Sequence, residues 1–488
     1  MSFNSISFLI FLPITVILYW VLPKRFRWIM LLIASYIFYM SWNFWLIFLI
    51  LFTTGVSYTA GLLLEKYESK KIKKLCLIVT LVCCLGTLFF FKYFVFSVNL
   101  VVGFANLFGA GLSTFTLSLI LPVGISFYTF QTLSYVIDVY RGKIKAERHL
   151  GYYALFVVYF PQLVAGPIER PENLLPQLKK ENKLDSVDIR AGLRIAAVGF
   201  FKKVVIADGV AVFVNAVYNN AAQASAVTVI VATVLFAVQI YCDFSGYTDI
   251  AIGVARLMGV KLRDNFNSPY SATSIKDFWR RWHMSLTSWF TDYVYIPLGG
   301  NRCKPWRWAL NVMIVFLLSG LWHGASLTFV VWGAIHGVYQ IVGRLKSAAV
   351  KKIAEKRAIK IPDNALTTAI KRTVTFVLVC FAWIFFRANS LSDSGVLIAK
   401  LITDWSSPMQ ALKSIGMDGA AIIEISLMLV VLALIHNVLK YDETKPTLLG
   451  HTVVCRKVFY AYLILAVAVA WIALVTSGGE SAFIYFQF

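Results

Sequence analysis

The sequence predicts an all-α, polytopic membrane protein, and three features predict it. Apolar residues make up 59% of the 488-residue chain and charged residues 14%, whereas a soluble domain carries about a quarter of charged residues to coat its surface. The apolar residues gather in runs close to the ~20 residues that cross a bilayer. The third feature is charge: 46 Lys+Arg against 24 Asp+Glu leave a net +22, and the cations lie in short loops between the apolar runs, which is the positive-inside bias. A basic soluble chain would point to nucleic acid; here topology accounts for the charge, and no nucleic-acid partner is expected.

Residues 6–22 form the first run, closed by Lys24, Arg25 and Arg27, which puts its far end in the cytosol and the N-terminus outside. With no basic stretch before it and no small-residue cleavage site, it reads as a retained span rather than a signal peptide. Two more spans bring the chain back to Lys66, Lys70, Lys71, Lys73 and Lys74. The loop 97–114 holds no Lys or Arg and is placed outside; the chain then returns to Arg141, Lys143, Lys145 and Arg148. Residues 152–164 are apolar but short and run into Pro167 and Pro171, so they read as a partial or re-entrant segment, which lipid tolerates only where protein buries the backbone. Residues 204–218 are also short, and 226–258 are long but carry Asp243 and Asp249. The apolar stretch 308–342 has basic residues on both sides, Arg302, Lys304 and Arg307 before it and Arg344 and Lys346 after it. Equal flanks imply an even number of crossings, hence a hairpin whose arms meet near 320–326. Three further spans follow, ending near Arg387, near Lys440 and at 458–475, which leaves Phe488 outside. The expectation is about eleven transmembrane or re-entrant helices plus interfacial helices in a single membrane domain, 1–488, in a cell membrane. The seven cysteines, Cys76, Cys83, Cys84, Cys242, Cys303, Cys380 and Cys455, form no Cys-x-x-Cys pair and read as small buried hydrophobes.

Among the six histidines, His323 is the informative one. It sits in Ser319-Gly320-Leu321-Trp322-His323-Gly324-Ala325-Ser326, about 20 Å along the first arm of the expected hairpin at 1.5 Å per residue. An ionisable side chain deep in the membrane, at a small-residue break that a ligand can approach, is a functional candidate; the alternative is a neutral imidazole bonded to a neighbouring helix. His283 lies in Lys276-Asp277-Phe278-Trp279-Arg280-Arg281-Trp282-His283-Met284-Ser285. This segment is too charged to span, and its mixture of tryptophans and arginines resembles an interfacial amphipathic helix. It is either a membrane-surface anchor or a cytosolic mouth where arginines meet phosphates. His336, thirteen residues beyond His323, would face the same way if one helix ran through both. His149, His436 and His451 carry no pattern. Asp243 and Asp249 must face protein or water, as glue within a helix bundle or as lining of a tunnel. No spacing suits a metal, and there is no phosphate loop and no Gly-x-Ser-x-Gly elbow.

Taken together, these motifs resemble the membrane-bound O-acyltransferases, and within them the bacterial alginate O-acetyltransferase-like branch. The carrying blocks are Pro122-Val123-Gly124-Ile125-Ser126-Phe127-Tyr128-Thr129-Phe130-Gln131, Phe160-Pro161-Gln162-Leu163-Val164-Ala165-Gly166-Pro167-Ile168, the Cys242 to Asp249 stretch and Phe278 to Leu286. They continue with Pro297-Leu298-Gly299-Gly300-Asn301-Arg302, Trp322-His323-Gly324-Ala325-Ser326 and the tail Phe483-Ile484-Tyr485-Phe486-Gln487-Phe488. The resemblance implies a funnelled helical domain with a central tunnel, through which a cytosolic acyl donor reaches an acceptor on the outer side. His323 matches the family's catalytic histidine and His283 its second, upstream histidine. Trp322, Ser326, His336, Asp243 and Asp249 become candidate tunnel-lining residues, and Lys276, Arg280, Arg281 and Arg302 candidate contacts to the donor's phosphates.

On this reading the enzyme moves an acetyl group from acetyl-CoA, without a metal, across a bacterial cell membrane to an extracellular or cell-wall polysaccharide. A partner acetyltransferase outside the membrane is expected to take part. The aromatic tail 483–488 is expected on the outer face, with Tyr485 as an acyl carrier activated by the nearby base; the bland alternative is an aromatic belt that ends the last helix. Two other functions stay in view. One is transfer of D-alanine from a carrier protein to teichoic acid. The other is a proton-coupled transporter using the midplane histidine, which would call for paired broken helices in two inverted halves; only one such break, at His323, is visible. A structural scaffold would leave that break unexplained.

Overall fold

The computed structural model describes residues 1–119, 121–164, 166–357, 364–405, 407–439 and 466–467; these are helices and connecting turns, with no strand among the described residues. The chain divides into two compact units. The first comprises Met1–Ala196 and Thr248–Arg263, the second Ala197–Tyr247 and Asp264–Phe488.

In the first unit the helix Ile6–Val21 is capped by Ser5, whose side chain accepts from the Phe8 N–H. Its apolar residues Ile10, Ile14, Ile17 and Val21 are all exposed, the surface a helix shows to lipid rather than water. The helix Ile125–Tyr140 is the opposite case, with fourteen of its sixteen residues buried. It is polar for a core helix because its side chains are hydrogen-bonded inside. Gln131 donates to the Phe156 carbonyl at 2.6 Å and accepts from the Gln162 amide at 2.6 Å. Gly124, at φ 73°, starts this helix where a Cβ would lie 2.6 Å from the Leu163 carbonyl oxygen, so only glycine fits. The short apolar segment expected at 152–164 is the pair Leu150–Val158 and Phe160–Leu163, buried from 153 to 164. Protein covers its broken backbone, as the membrane requires.

In the second unit the helix Ala226–Leu257 contributes its residues up to Tyr247. The π-helix Phe201–Ala207 brings Lys203 against it, where Nζ lies 2.6 Å from Asp243 and 2.8 Å from Asp208, all three side chains less than a tenth exposed. Buried charges persist only when paired in this way. Two helices meet at the small-residue break near 320–326. Pro305–His323 is the first arm of the hairpin, residues 324–326 are the break, and Leu327–Arg357 is the second arm, extending past the expected end into the basic stretch. The helix Ala365–Arg387 follows, opened by a capping box at Asn364 and Thr367.

Four helical stretches among the described residues are long and apolar enough to cross a membrane: Phe44–Lys66, Lys70–Asn106, Ala226–Leu257 and Ala365–Arg387. The bent pair Pro408–Ser414 and Gly419–Leu434, turned by 86°, is long and apolar enough only when its two helices are taken together, as a broken span or a re-entrant loop. The larger number expected from the sequence includes short segments such as 150–163 and 201–218, which are buried or broken helices, and 458–475, which lies outside the described residues apart from 466–467.

Candidate active site

The break in the hairpin exists because its two arms touch. Gly320 and Gly333 face each other across the crossing: a Cβ on Gly320 would lie 2.2 Å from the Phe329 carbonyl oxygen, and one on Gly333 2.3 Å from that of Phe316. Small residues at such a crossing let the backbones approach. The first arm ends at His323, and Gly324 leaves the helix in an extended conformation. Ser326 then helps to start the second arm, its hydroxyl accepting from the Thr328 N–H at 3.3 Å.

His323, 2% exposed, stands in a cage of aromatic rings. Trp332 meets it edge-on at 5.1 Å, Phe386 at 5.3 Å and Trp322 at 5.1 Å. Trp322 also meets the ring of His283, at 5.7 Å, so one indole touches both histidines. Trp332 in turn meets His336 at 5.0 Å and stacks on Trp383 at 5.8 Å. Three histidines that are 40 and 13 residues apart in sequence thus share one aromatic cluster.

The protonation of His283 follows from its neighbours. The backbone N–H of Ser285 donates to Asn265 Oδ1 at 3.2 Å, and the Ser285 hydroxyl to the same atom at 2.9 Å. That atom is therefore an oxygen acceptor, and His283 Nδ1, 3.0 Å from it, must be the donor. The proton on Nδ1 leaves the lone pair on Nε2. Burial pushes the imidazole down from 6.5 to about 3, so it is neutral near pH 7. His283 also adopts a left-handed backbone, φ 44°, at the start of Met284–Phe290. A non-glycine residue held there is strained; the Met284 N–H bond to the Asn265 carbonyl, 2.9 Å, helps to hold it. Phe244, next to Asp243, abuts the His283 ring at 4.6 Å.

The segment around His283 departs from the expected surface helix. Ile275–Trp279 and Met284–Phe290 are two short helices joined by a turn, and Phe278, Trp279, Trp282 and Trp289 are all buried. Their partners are other rings: Trp282 meets Trp383 at 5.2 Å and Trp279 meets Trp332 at 5.7 Å. The tryptophans are core residues of the site rather than lipid anchors, because distant helices supply the apolar surface that a bilayer would otherwise provide.

The remaining predicted residues divide. Lys276 and Arg280 are exposed beside the aromatic turn, while Arg281 is half-buried and bound to Asp277 at 2.9 Å. Arg302 is exposed on the turn before the hairpin. Asp243 is paired with Lys203. Asp249 is half-buried in the stretch of the same helix that belongs to the first unit. Tyr485 and the tail 483–488 lie outside the described residues. Sequence reasoning missed Asn265, which no motif marks. It also missed Lys203, although a Lys202-Lys203 pair beside an apolar run was a readable signal. Among the described residues no three His, Cys, Asp or Glu side chains gather as a metal-binding group.

Comparison with known proteins gives the chain's relatives. The sequence profile of the membrane-bound O-acyltransferase family matches residues 146–386, a span holding all three clustered histidines. A probable alginate O-acetylase AlgI of Pseudomonas putida is 35% identical over 508 residues, covering 100% of each chain. A peptidoglycan O-acetyltransferase of Helicobacter pylori is 36% identical over 80% of this chain and 78% of its own. A teichoic acid D-alanyltransferase of Bacillus subtilis is 31% identical over 56% of this chain and 70% of its own.

Proposed function

Because the chain belongs to the membrane-bound O-acyltransferase family and is a multi-pass membrane O-acyltransferase, we propose that it carries an acetyl group from cytosolic acetyl-CoA to a hydroxyl of an extracytoplasmic polysaccharide. The observation that carries this reading is His323 at the hairpin break, enclosed in rings and linked through Trp322 to a neutral His283. The relatives covering most of both chains are named for acetyl transfer to alginate or peptidoglycan, which favours acetyl over D-alanyl.

Transfer to a hydroxyl needs a base that removes its proton, and a neutral imidazole suits this near pH 7. In the proposed step His323 takes the hydroxyl proton as the oxygen attacks the thioester carbonyl. The new C–O bond replaces the C–S bond, and the departing thiolate recovers the proton. His283, with its lone pair on Nε2, assists as a second acceptor. Lys276, Arg280, Arg281 and Arg302 receive the donor's phosphates, and Trp322, Ser326, His336 and Asp243 line its path. Tyr485 is proposed to carry the acetyl group as an aryl ester on the outer side, from which a partner acetyltransferase takes it to the polymer.

The test is purified protein with radiolabelled acetyl-CoA and acceptor polysaccharide. His323→Ala is expected to lower transfer by about 10²–10⁴-fold while purifying as a folded protein; wild-type-like transfer from that variant would refute the assignment. For the relay, Tyr485→Phe keeps the ring and removes the hydroxyl, and near-normal polymer acetylation in it would rule the carrier out.

A further inference from the structure

His336 is a buried histidine to which the proposed reaction assigns no chemical step, and its hydrogen bonds define its state. Trp279 Nε1 lies 3.2 Å from His336 Nδ1. An indole N–H only donates, so Nδ1 accepts and the ring proton sits on Nε2. His336 is thus the opposite tautomer to His283, a donor at Nε2 where His283 has a lone pair. That Nε2–H is fully buried and has no partner among the described residues. The same holds for the Nε1–H of Trp332, four residues earlier. Spacing of i and i+4 puts both side chains on one face of the helix Leu327–Arg357, and Trp332 is one of the three rings in edge contact with His323.

Two buried N–H groups without acceptors are costly to leave so, at about 1–3 kcal/mol each, and their natural complement is an oxygen that arrives with a ligand. The kind of oxygen follows from the surroundings. The rings against His336 are Phe278, Trp279, Phe316, Trp332 and Tyr339. All five are uncharged rings, so a phosphate would meet no counter-charge among them, whereas an uncharged carbonyl meets two neutral donors and apolar walls.

We propose that the N–H groups of Trp332 and His336 form a neutral two-donor cradle for a carbonyl oxygen of the acyl donor. The proposal rests on the acetyl-transfer reading and adds to it a residue-level site for the uncharged part of the donor. Trp279 is a positioning residue here: its indole keeps the His336 proton on Nε2.

The experiment uses the full chain in lipid nanodiscs with three donors: acetyl-CoA, S-acetylpantetheine and the amide-free thioester S-acetyl-2-mercaptoethanol. Variants His336→Phe and Trp332→Phe keep a ring and lose the donor; His336→Gln keeps a side-chain N–H. The expected result is a donor KM raised roughly tenfold in His336→Phe, the value of one neutral hydrogen bond, with part of it recovered in His336→Gln. The rise should be equal for acetyl-CoA and S-acetylpantetheine, because the nucleotide phosphates take no part. A penalty that persists with S-acetyl-2-mercaptoethanol assigns the cradle to the acetyl carbonyl; one that vanishes there assigns it to an amide carbonyl of the donor arm. A KM within twofold of wild type in both Phe variants overturns the cradle. So does a His336→Gln protein no better than His336→Phe, which marks a packing role only. No transfer by the wild-type protein from any of the three donors would instead sink the acetyl reading, and the cradle with it.

Discussion

At the scale of single residues, the carboxamide of Asn265 governs the chemistry available to His283. Its oxygen accepts from the Ser285 N–H, the Ser285 hydroxyl and His283 Nδ1. Without that acceptor the imidazole is free to take either tautomer, and the strained turn loses its hold. Asn265→Ala is therefore expected to lower kcat by roughly 10–100-fold, the usual cost of losing a partner that orients a functional histidine, with donor KM little changed; a kcat equal to wild type in a steady-state assay would show that the tautomer does not matter. His283 also leaves a signature in stability. Its folded pKa of about 3 lies below the ordinary 6.5. Between these values the unfolded chain binds a proton that the folded chain does not, so stability falls as pH drops through that window. Replacing the ring by His283→Phe should flatten the acid side of the melting profile measured from about pH 7 to about pH 4. An unchanged slope would mean that His283 is already protonated in the fold.

At the scale of elements, the hairpin depends on a crossing with no room for side chains. The would-be Cβ atoms of Gly320 and Gly333 meet backbone carbonyls, at 2.2 and 2.3 Å, and a backbone cannot rotate away as a side chain can. Gly333→Ala is expected to destabilise the protein by about 1–3 kcal/mol and to move His323 relative to Trp332. The measurement is a melting curve in detergent beside a transfer assay, and a variant as stable and as active as wild type would show that the arms have slack. The π-helix Phe201–Ala207 makes a second local device. Its extra residue per turn accompanies the placement of the Lys203 ammonium between Asp243 and Asp208. That pairing accounts for a carboxylate in the middle of an apolar run.

At the scale of the whole molecule, charge and apolar surface have separate tasks. The helix Ile6–Val21 turns bare aliphatic side chains outward, while Lys276 and Arg280 stay exposed beside the aromatic turn that carries His283. If these cations receive the donor's phosphates, Arg280→Glu combined with Arg281→Glu should raise the KM for acetyl-CoA more than it lowers kcat. The same pair should leave S-acetylpantetheine, which lacks the nucleotide, nearly unaffected. Equal behaviour of the two donors would move the phosphate site elsewhere and leave the arginines as contacts to lipid headgroups.

The one-dimensional record of hydropathy and charge determined the membrane class, the helical hairpin with its break near residue 324 and the buried short segment after residue 150, and it placed His323 at that break. Each is a local property: an apolar run, its flanking cations and a cluster of small residues act within a few turns of helix, where sequence distance and spatial distance coincide. The tertiary structure alone decided what the histidines are chemically. The tautomer of His336 depends on Trp279, 57 positions away, and that of His283 on Asn265, 18 positions away. It also decided that the tryptophans of 279–289 face inward, and that Asp243 has a lysine from another helix as its partner. A residue's polarity is written in its own side chain, but the partner that sets its proton is supplied by whichever helix packs against it, and no local pattern encodes that choice.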